Sequence, residues 1–224
     1  TLSFLKSVGN PGDPRQGWKK AGVISKGKMI QDYGGGICQA ATTLYGAALR
    51  ADLTIVRRGN HSWPSVYEQI GQDAAVSYPG QDLQIKNDSD SSMFIWAGMI
   101  GNKVTVRIYG KQPSEWDTIK VFSSKTGSIT PEATIYKDDP SLPKGTEKVD
   151  VQSRTGYTAS AYRVFYKNGA EVRRENLPNS YYRPIQGVIL RGTKETAPPA
   201  ESQPESSVPE SQPESSEASV QETE

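Results

Sequence analysis

The sequence predicts an α+β N-terminal domain, one buried helix against an antiparallel sheet, followed by an elongated all-β module and a disordered tail. Three observations carry this. Residues 37–51 hold the clearest helical pattern: Ile37, Ala41, Leu44, Tyr45, Ala48 and Leu49 recur at spacings of three and four, which line one face. Short β-branched and aromatic runs elsewhere alternate with Gly, Pro, Asn and Asp. Residues 195–224 carry eight glutamates and no Lys, Arg or aromatic residue.

Taken in order, Gly9, Pro11, Gly12, Pro14 and Gly17 mark loops, and Ala21–Lys28 reads as a short strand and turn. After the helix, Asp52 turns the chain into the strand Thr54-Ile55-Val56. Strand character returns at Ala74–Tyr78, Leu83–Lys86, Met93–Ala97 and Val104–Tyr109, with Gly101-Asn102 as a hairpin turn. The domain then spans residues 1–112. Gly110–Glu115 has the composition of a junction that few contacts need cross.

Residues 113–138 read as a β-rich connector, with Thr118–Phe122 and Ala133–Tyr136 as strands. Lys148–Gln152, Ala161–Lys167, Glu171–Asn176 and Gly187–Arg191 continue the pattern. Asn168-Gly169 between two alternating segments is a strong hairpin signal. In the tail, Glu201–Ser207 recurs unchanged as Glu210–Ser216; such a segment has no core to bury.

Charge narrows the partners. The whole chain has net charge +1, but without the tail its 26 basic residues face 17 acidic ones, a net +9. The basic residues are scattered as pairs such as Lys19-Lys20 and Arg57-Arg58, the pattern of a solvated surface, so no nucleic acid partner is expected. A single cysteine cannot form an intramolecular disulfide. No apolar run approaches the roughly 18 residues of a membrane span. The chain opens at Thr1 without Met and reads as an excised segment, so membrane anchoring would need a segment absent from it.

Cys38 is the only cysteine and His61 the only histidine. Cys38 follows Gly34-Gly35-Gly36-Ile37 and stands at the start of the helix, where the dipole and unpaired N–H groups favour a thiolate. His61 follows in Arg58-Gly59-Asn60-His61-Ser62-Trp63, and Asp73 comes twelve residues later. A lone cysteine also reads as a small buried hydrophobe. His61 also reads as bonded to a carbonyl, and Asp73 as a turn residue. The glycines match no phosphate-binding spacing. One Cys and one His are too few for a structural zinc site, and no cofactor or metal is expected.

Gly-Gly-Gly-Ile-Cys-Gln-x-x-Thr-Thr-Leu-Tyr at 34–45, with Arg58-x-Asn60-His61-Ser62 and Gly71-x-Asp73-Ala74-x-Val76, resembles the VanW family over roughly residues 2–111. The family is named from an accessory gene of glycopeptide-resistance clusters, and the resemblance implies an extracytoplasmic, cell-wall-associated bacterial protein on the surface of a Gram-positive cell. Residues 139–194 resemble the five-glycine (G-five) domain through Leu142-Pro143-Lys144-Gly145, Gly156, Gly169, Gly187 and Gly192-Thr193-Lys194. That implies an elongated wall-binding module for glycans containing N-acetylglucosamine.

Residues 36–73 are also similar to the transglutaminase-like thiol fold, in which a helix-borne Cys precedes a Leu-Arg-x-x-Gly segment, a His-x-Trp strand and an Asp. Here Asp52 stands for the Gly, Ser62 for the usual Ala, and Pro64 interrupts the strand. This likeness implies Cys38 as nucleophile, His61 as base and Asp73 as orienting carboxylate. Gly36 and Gln39 would stabilise an oxyanion, and peptidoglycan stem peptides would be the acyl substrate.

A non-catalytic wall-binding or scaffold protein is the rival reading. Tyr33, Tyr45, Trp63, Tyr67 and Tyr78 cluster in sequence around the motif, and Tyr33, Asn60 and Trp63 are substrate-groove candidates. Tyr157, Tyr162, Tyr166, Tyr181 and Tyr182 are candidates for stacking on sugar rings, or else ordinary cross-strand pairs.

Overall fold

The computed structural model describes residues 1–25 and 28–195. The end of the Ala21–Lys28 expectation and the acidic tail beyond Glu195 therefore lie outside the described residues. The chain opens with β1 (Leu2–Ser3) and α1 (Phe4–Val8), followed by β2 (Lys20–Ser25) and β3 (Lys28–Tyr33). Next come α2 (Ile37–Arg50), β4 (Thr54–Arg57), β5 (Gln84–Lys86), β6 (Phe94–Ile100) and β7 (Lys103–Tyr109). The remainder is all strand: β8 (Thr118–Ile129), β9 (Ile135–Pro143), β10 (Glu147–Val151), β11 (Gly156–Lys167), β12 (Ala170–Tyr182) and β13 (Val188–Lys194).

Helix α2 is the centre of the first core. All six residues of its expected apolar face are buried, and Phe4, Leu5, Leu53, Ala74, Val76, Leu83 and Ile85 close around them. The helix packs against β4, β7 and β8. The small antiparallel sheet β1–β5–β4 and the hairpins β2–β3 and β6–β7 complete this part. Ile100 pairs with Lys103 across Gly101-Asn102, the expected turn.

The expected strand Ala74–Tyr78 does not form as such. The segment makes only the isolated bridges Gly59↔Ala75 and Ser77↔Gln81. The backbone groups of Ala74 and Val76 are taken by side chains of α2 and the Ala75 carbonyl by Gln81, which leaves no free edge for a regular ladder.

The β-rich part forms two three-stranded sheets, β8–β11–β12 and β9–β13–β10. The long β11–β12 hairpin turns at Asn168 and Gly169, both at positive φ (49° and 81°) as a tight hairpin requires. The β9–β13 pair is parallel, whereas every other named strand pair is antiparallel.

The junction near Gly110–Glu115 separates the parts less than its composition suggests. Val121 and Leu177, from β8 and β12, pack on the first core. Arg163 of β11 donates to the carbonyls of Leu49 and Leu53 at 3.2 Å each. The shared contacts arise because β8–β11–β12 lies directly against α2 and the loop that follows it. No helix among the described residues is long and apolar enough to cross a membrane.

Candidate active site

The glycine motif shapes the approach to Cys38. A side chain on Gly35 would overlap the backbone of Ala21, so only glycine lets the β2–β3 hairpin lie this close to the helix start. Gly36 caps α2 in the left-handed conformation, φ 89°, with no side chain bonded to the first turn. The amides there have no partner within the helix, and Cys38 sits among them, half-buried. Gly36 and Gln39 are exposed at the same end.

Two side chains one helical turn apart pin the extended segment 74–76. Cys38 Sγ lies 3.3 Å from Val76 O and accepts the Val76 N–H at 3.4 Å. Thr42 Oγ1 donates to Ala74 O at 3.1 Å and accepts the Ala74 N–H at 3.0 Å. Helical positions i and i+4 stand about 6 Å apart, close to the two-residue repeat of an extended chain, so the pairs match in register. This places Asp73, just before Ala74, alongside α2 beyond Thr42, where its partner Arg58 lies over the Tyr45 ring.

His61 and Asp73 are both buried, 9 % and 1 % exposed. Asp73 Oδ2 receives the His61 backbone N–H at 2.8 Å and lies 2.6 Å from Nδ1. The other ring nitrogen, Nε2, lies 3.1 Å from Tyr67 Oη. Cys38 also acts on this ring, favouring its charged form. Burial works against a charged imidazole, but the bond to Asp73 and the influence of Cys38 outweigh it and raise the His61 pKa to about 9. Burial likewise opposes ionisation of Asp73, yet its bonds to His61 and Tyr182 and the charge of Arg58 hold its carboxyl below the usual range. Tyr67 is pushed up to about 12 by burial and by the negative charge of Cys38.

The structure thus brings Cys38, His61 and Asp73 into one cluster. Three contributors were not legible as such in sequence. Arg58 donates to Asp73 Oδ1 (3.1 Å) and Asp73 O (2.6 Å), Tyr182 donates to Asp73 Oδ1, and Tyr67 meets the imidazole. Arg58 stood in the motif before His61, but nothing local marked its target. Among the described residues no three His, Cys, Asp or Glu side chains group as a metal site.

The groove and glycan candidates are dispersed. Asn60 spends its amide on Tyr181 O and His61 O, at 2.8 and 2.7 Å, so it braces the loop. Trp63 is half-buried with Arg154 over its ring, and Tyr33 lies under Lys20. Tyr182 is fully buried and offers no face to a sugar, which corrects its reading as a stacking platform. Tyr162 stacks on Phe122 at 5.3 Å and lies under Arg174, while Tyr157 and Tyr166 carry lysines over their rings. Of the five tyrosines only Tyr181 is exposed, at 52 %.

Residues 1–109 match the family described as VanW like protein, and residues 123–194 match the G5 domain. The chain carries a VanW-like domain followed by a G5 domain. It is similar to the uncharacterized protein YoaR of Bacillus subtilis (strain 168), 37 % identical over 109 residues, covering 49 % of this chain and 36 % of that one. It is also similar to the vancomycin B-type resistance protein VanW of Enterococcus faecalis (strain ATCC 700802 / V583), 31 % identical over 119 residues, covering 50 % and 43 %. The chain therefore spans less than half the length of either relative. Among solved structures, the IgA1 protease G5 domain is 24 % identical over 36 % of this chain and 99 % of that one, with a TM-score of 0.23. The HP0197 G5 structure is 16 % identical, covering 33 % and 97 %, with a TM-score of 0.18.

Proposed function

We propose that this is a cell-wall-associated protein of a Gram-positive surface whose VanW-like domain is a cysteine-dependent acyl-transfer enzyme. Its substrates are peptidoglycan peptides, and its reaction is that of an amidase, peptidase or transpeptidase. The G5 domain holds it to wall glycans containing N-acetylglucosamine. The observation that carries this reading is the buried His61–Asp73 pair, 2.6 Å apart, with Cys38 as the other acidic partner of the imidazole.

In this reading the Cys38 thiolate attacks an amide carbonyl carbon, forming a C–S bond and a tetrahedral oxyanion at the start of α2. The amides of the first turn, at Cys38 and Gln39, face the developing charge. As the C–N bond breaks, His61 passes its proton to the departing amine. Water, or a second amine, then attacks the thioester while His61 takes up its proton, and the thiol is restored. Asp73 keeps the imidazole in one tautomer throughout. The order of helix-borne Cys, His and Asp supports a transglutaminase-like arrangement.

Intact-mass spectrometry after incubation with defined stem peptides tests this. A thioester adduct on Cys38, released with a shortened or cross-linked peptide and absent from Cys38→Ala, is expected. Unchanged peptides and an unmodified protein would leave the non-catalytic binder, a reading that the exposed Tyr181 of the G5 domain favours.

A further inference from the structure

The loop that carries His61 and Asp73 is braced by the G5 domain. Tyr182, on β12, donates its hydroxyl to Asp73 Oδ1 at 2.5 Å and accepts the Gly71 N–H at 2.8 Å. Ser180, on the same face of β12 two residues earlier, accepts from Arg58 Nη1 at 2.8 Å. Asn60 bonds the backbone of Tyr181 from both ends of its amide, and Gln72 donates to Ser123 of β8 at 3.0 Å.

These bonds fix the carboxylate that orients the imidazole. Asp73 presents Oδ2 to His61 and Oδ1 to Tyr182 and Arg58. Without Tyr182, Oδ1 keeps only the longer bond from Arg58 at 3.1 Å, so the carboxylate turns more freely about its terminal torsion, and the bond to Nδ1 would lengthen as it did. Tyr182 is fully buried, so this contact is shielded from bulk solvent.

We infer that Tyr182 is a positioning residue of the Cys38–His61–Asp73 site, supplied by the G5 domain, so that the imidazole is poised only while the β8–β11–β12 sheet is docked. This rests on the thiol-enzyme reading above. It makes the two domains one functional unit: wall engagement that shifts β12 changes the reactivity of Cys38, because both act on the same carboxylate.

Tyr182→Phe in the full chain keeps the ring and removes the hydroxyl. Because the chain has one cysteine and one histidine, iodoacetamide labelling and an NMR titration of the imidazole each report a single site. In Tyr182→Phe the His61 midpoint is expected to fall by about one pH unit and neutral-pH alkylation to slow by about tenfold. Ser180→Ala, which removes a hydroxyl that accepts from Arg58 and also acts on Tyr182, should move the midpoint the same way by less, and it serves if Tyr182→Phe does not fold. A midpoint that stays or rises in folded Tyr182→Phe, or is unmoved in Ser180→Ala where the first variant fails to fold, overturns the inference. A wild-type Cys38 inert at every pH overturns the thiol-enzyme reading and this inference together, and it shows before any substitution at β12.

Discussion

At its N-terminus α2 presents half-exposed Cys38 to an imidazole whose charge changes with pH. At its C-terminus the carbonyl of Leu49 meets the guanidinium of Arg163. Arg163 is 7 % exposed, donates also to Leu53 O, and pairs with Asp52 at 3.2 Å and Glu175 at 2.7 Å. Arg173 reaches the other oxygen of Asp52 at 2.7 Å. A cation among the last carbonyls of a helix satisfies orphan acceptors and opposes the negative end of the dipole. The G5 sheet therefore meets the C-terminal end of the helix directly, through guanidinium–carboxylate pairs, and reaches the thiol site only through the loop that carries His61 and Asp73.

Substitutions at the two ends should separate reactivity from stability. The largest effect is expected from His61→Ala, which should slow neutral-pH alkylation of Cys38 by about two orders of magnitude, the scale of a lost general base. Labelling followed by mass spectrometry measures it, and an unchanged rate would mean that the thiol does not depend on the imidazole. Arg163→Met should cost about 2–4 kcal/mol of stability in a denaturant titration, since it frees the buried carbonyls of Leu49 and Leu53 and leaves Asp52 and Glu175 to Arg173 alone. Once folded, that variant should keep the wild-type pH profile of alkylation. A changed profile would show that the two ends are not independent.

A smaller effect concerns pH. The His61 pKa is raised from 6.5 to about 9 in the folded chain. Its contribution to stability is thus fully present below pH 6.5 and lost as pH rises through 9, so the melting temperature should decline across that window. Asp73, held low, contributes in the opposite sense: its share is present above the ordinary carboxylate range and lost as pH falls. His61→Ala should flatten the alkaline decline while Arg163→Met leaves its slope unchanged. Melting curves from pH 6 to 10 distinguish these outcomes.

Local patterns made much of this legible. The spacing of Ile37 through Leu49 marked the helix face, and Asn168-Gly169 marked the hairpin, because both depend on periodicity or on turn chemistry within a few residues. The order of Cys38, His61 and Asp73 was readable from a motif. What was not readable joins residues far apart: Arg58 to Ser180, Tyr182 to Asp73, and Arg163 to the end of α2. No local signal distinguishes Tyr182 from its exposed neighbour Tyr181, except that strand alternation turns one of two adjacent side chains inward. The run Ala74–Tyr78 looked like a strand because it is apolar. It is apolar because it packs on α2, and its ladder partners are the side chains of Cys38 and Thr42.

The central claim is that the lone thiol and the lone imidazole form one ionising pair. An NMR titration of the His61 imidazole in the wild-type chain and in Cys38→Ser tests it most directly. A wild-type midpoint near 9 that falls clearly in Cys38→Ser, where no thiolate remains, is the result the structure predicts. A midpoint near 6.5 that the substitution does not move would contradict it.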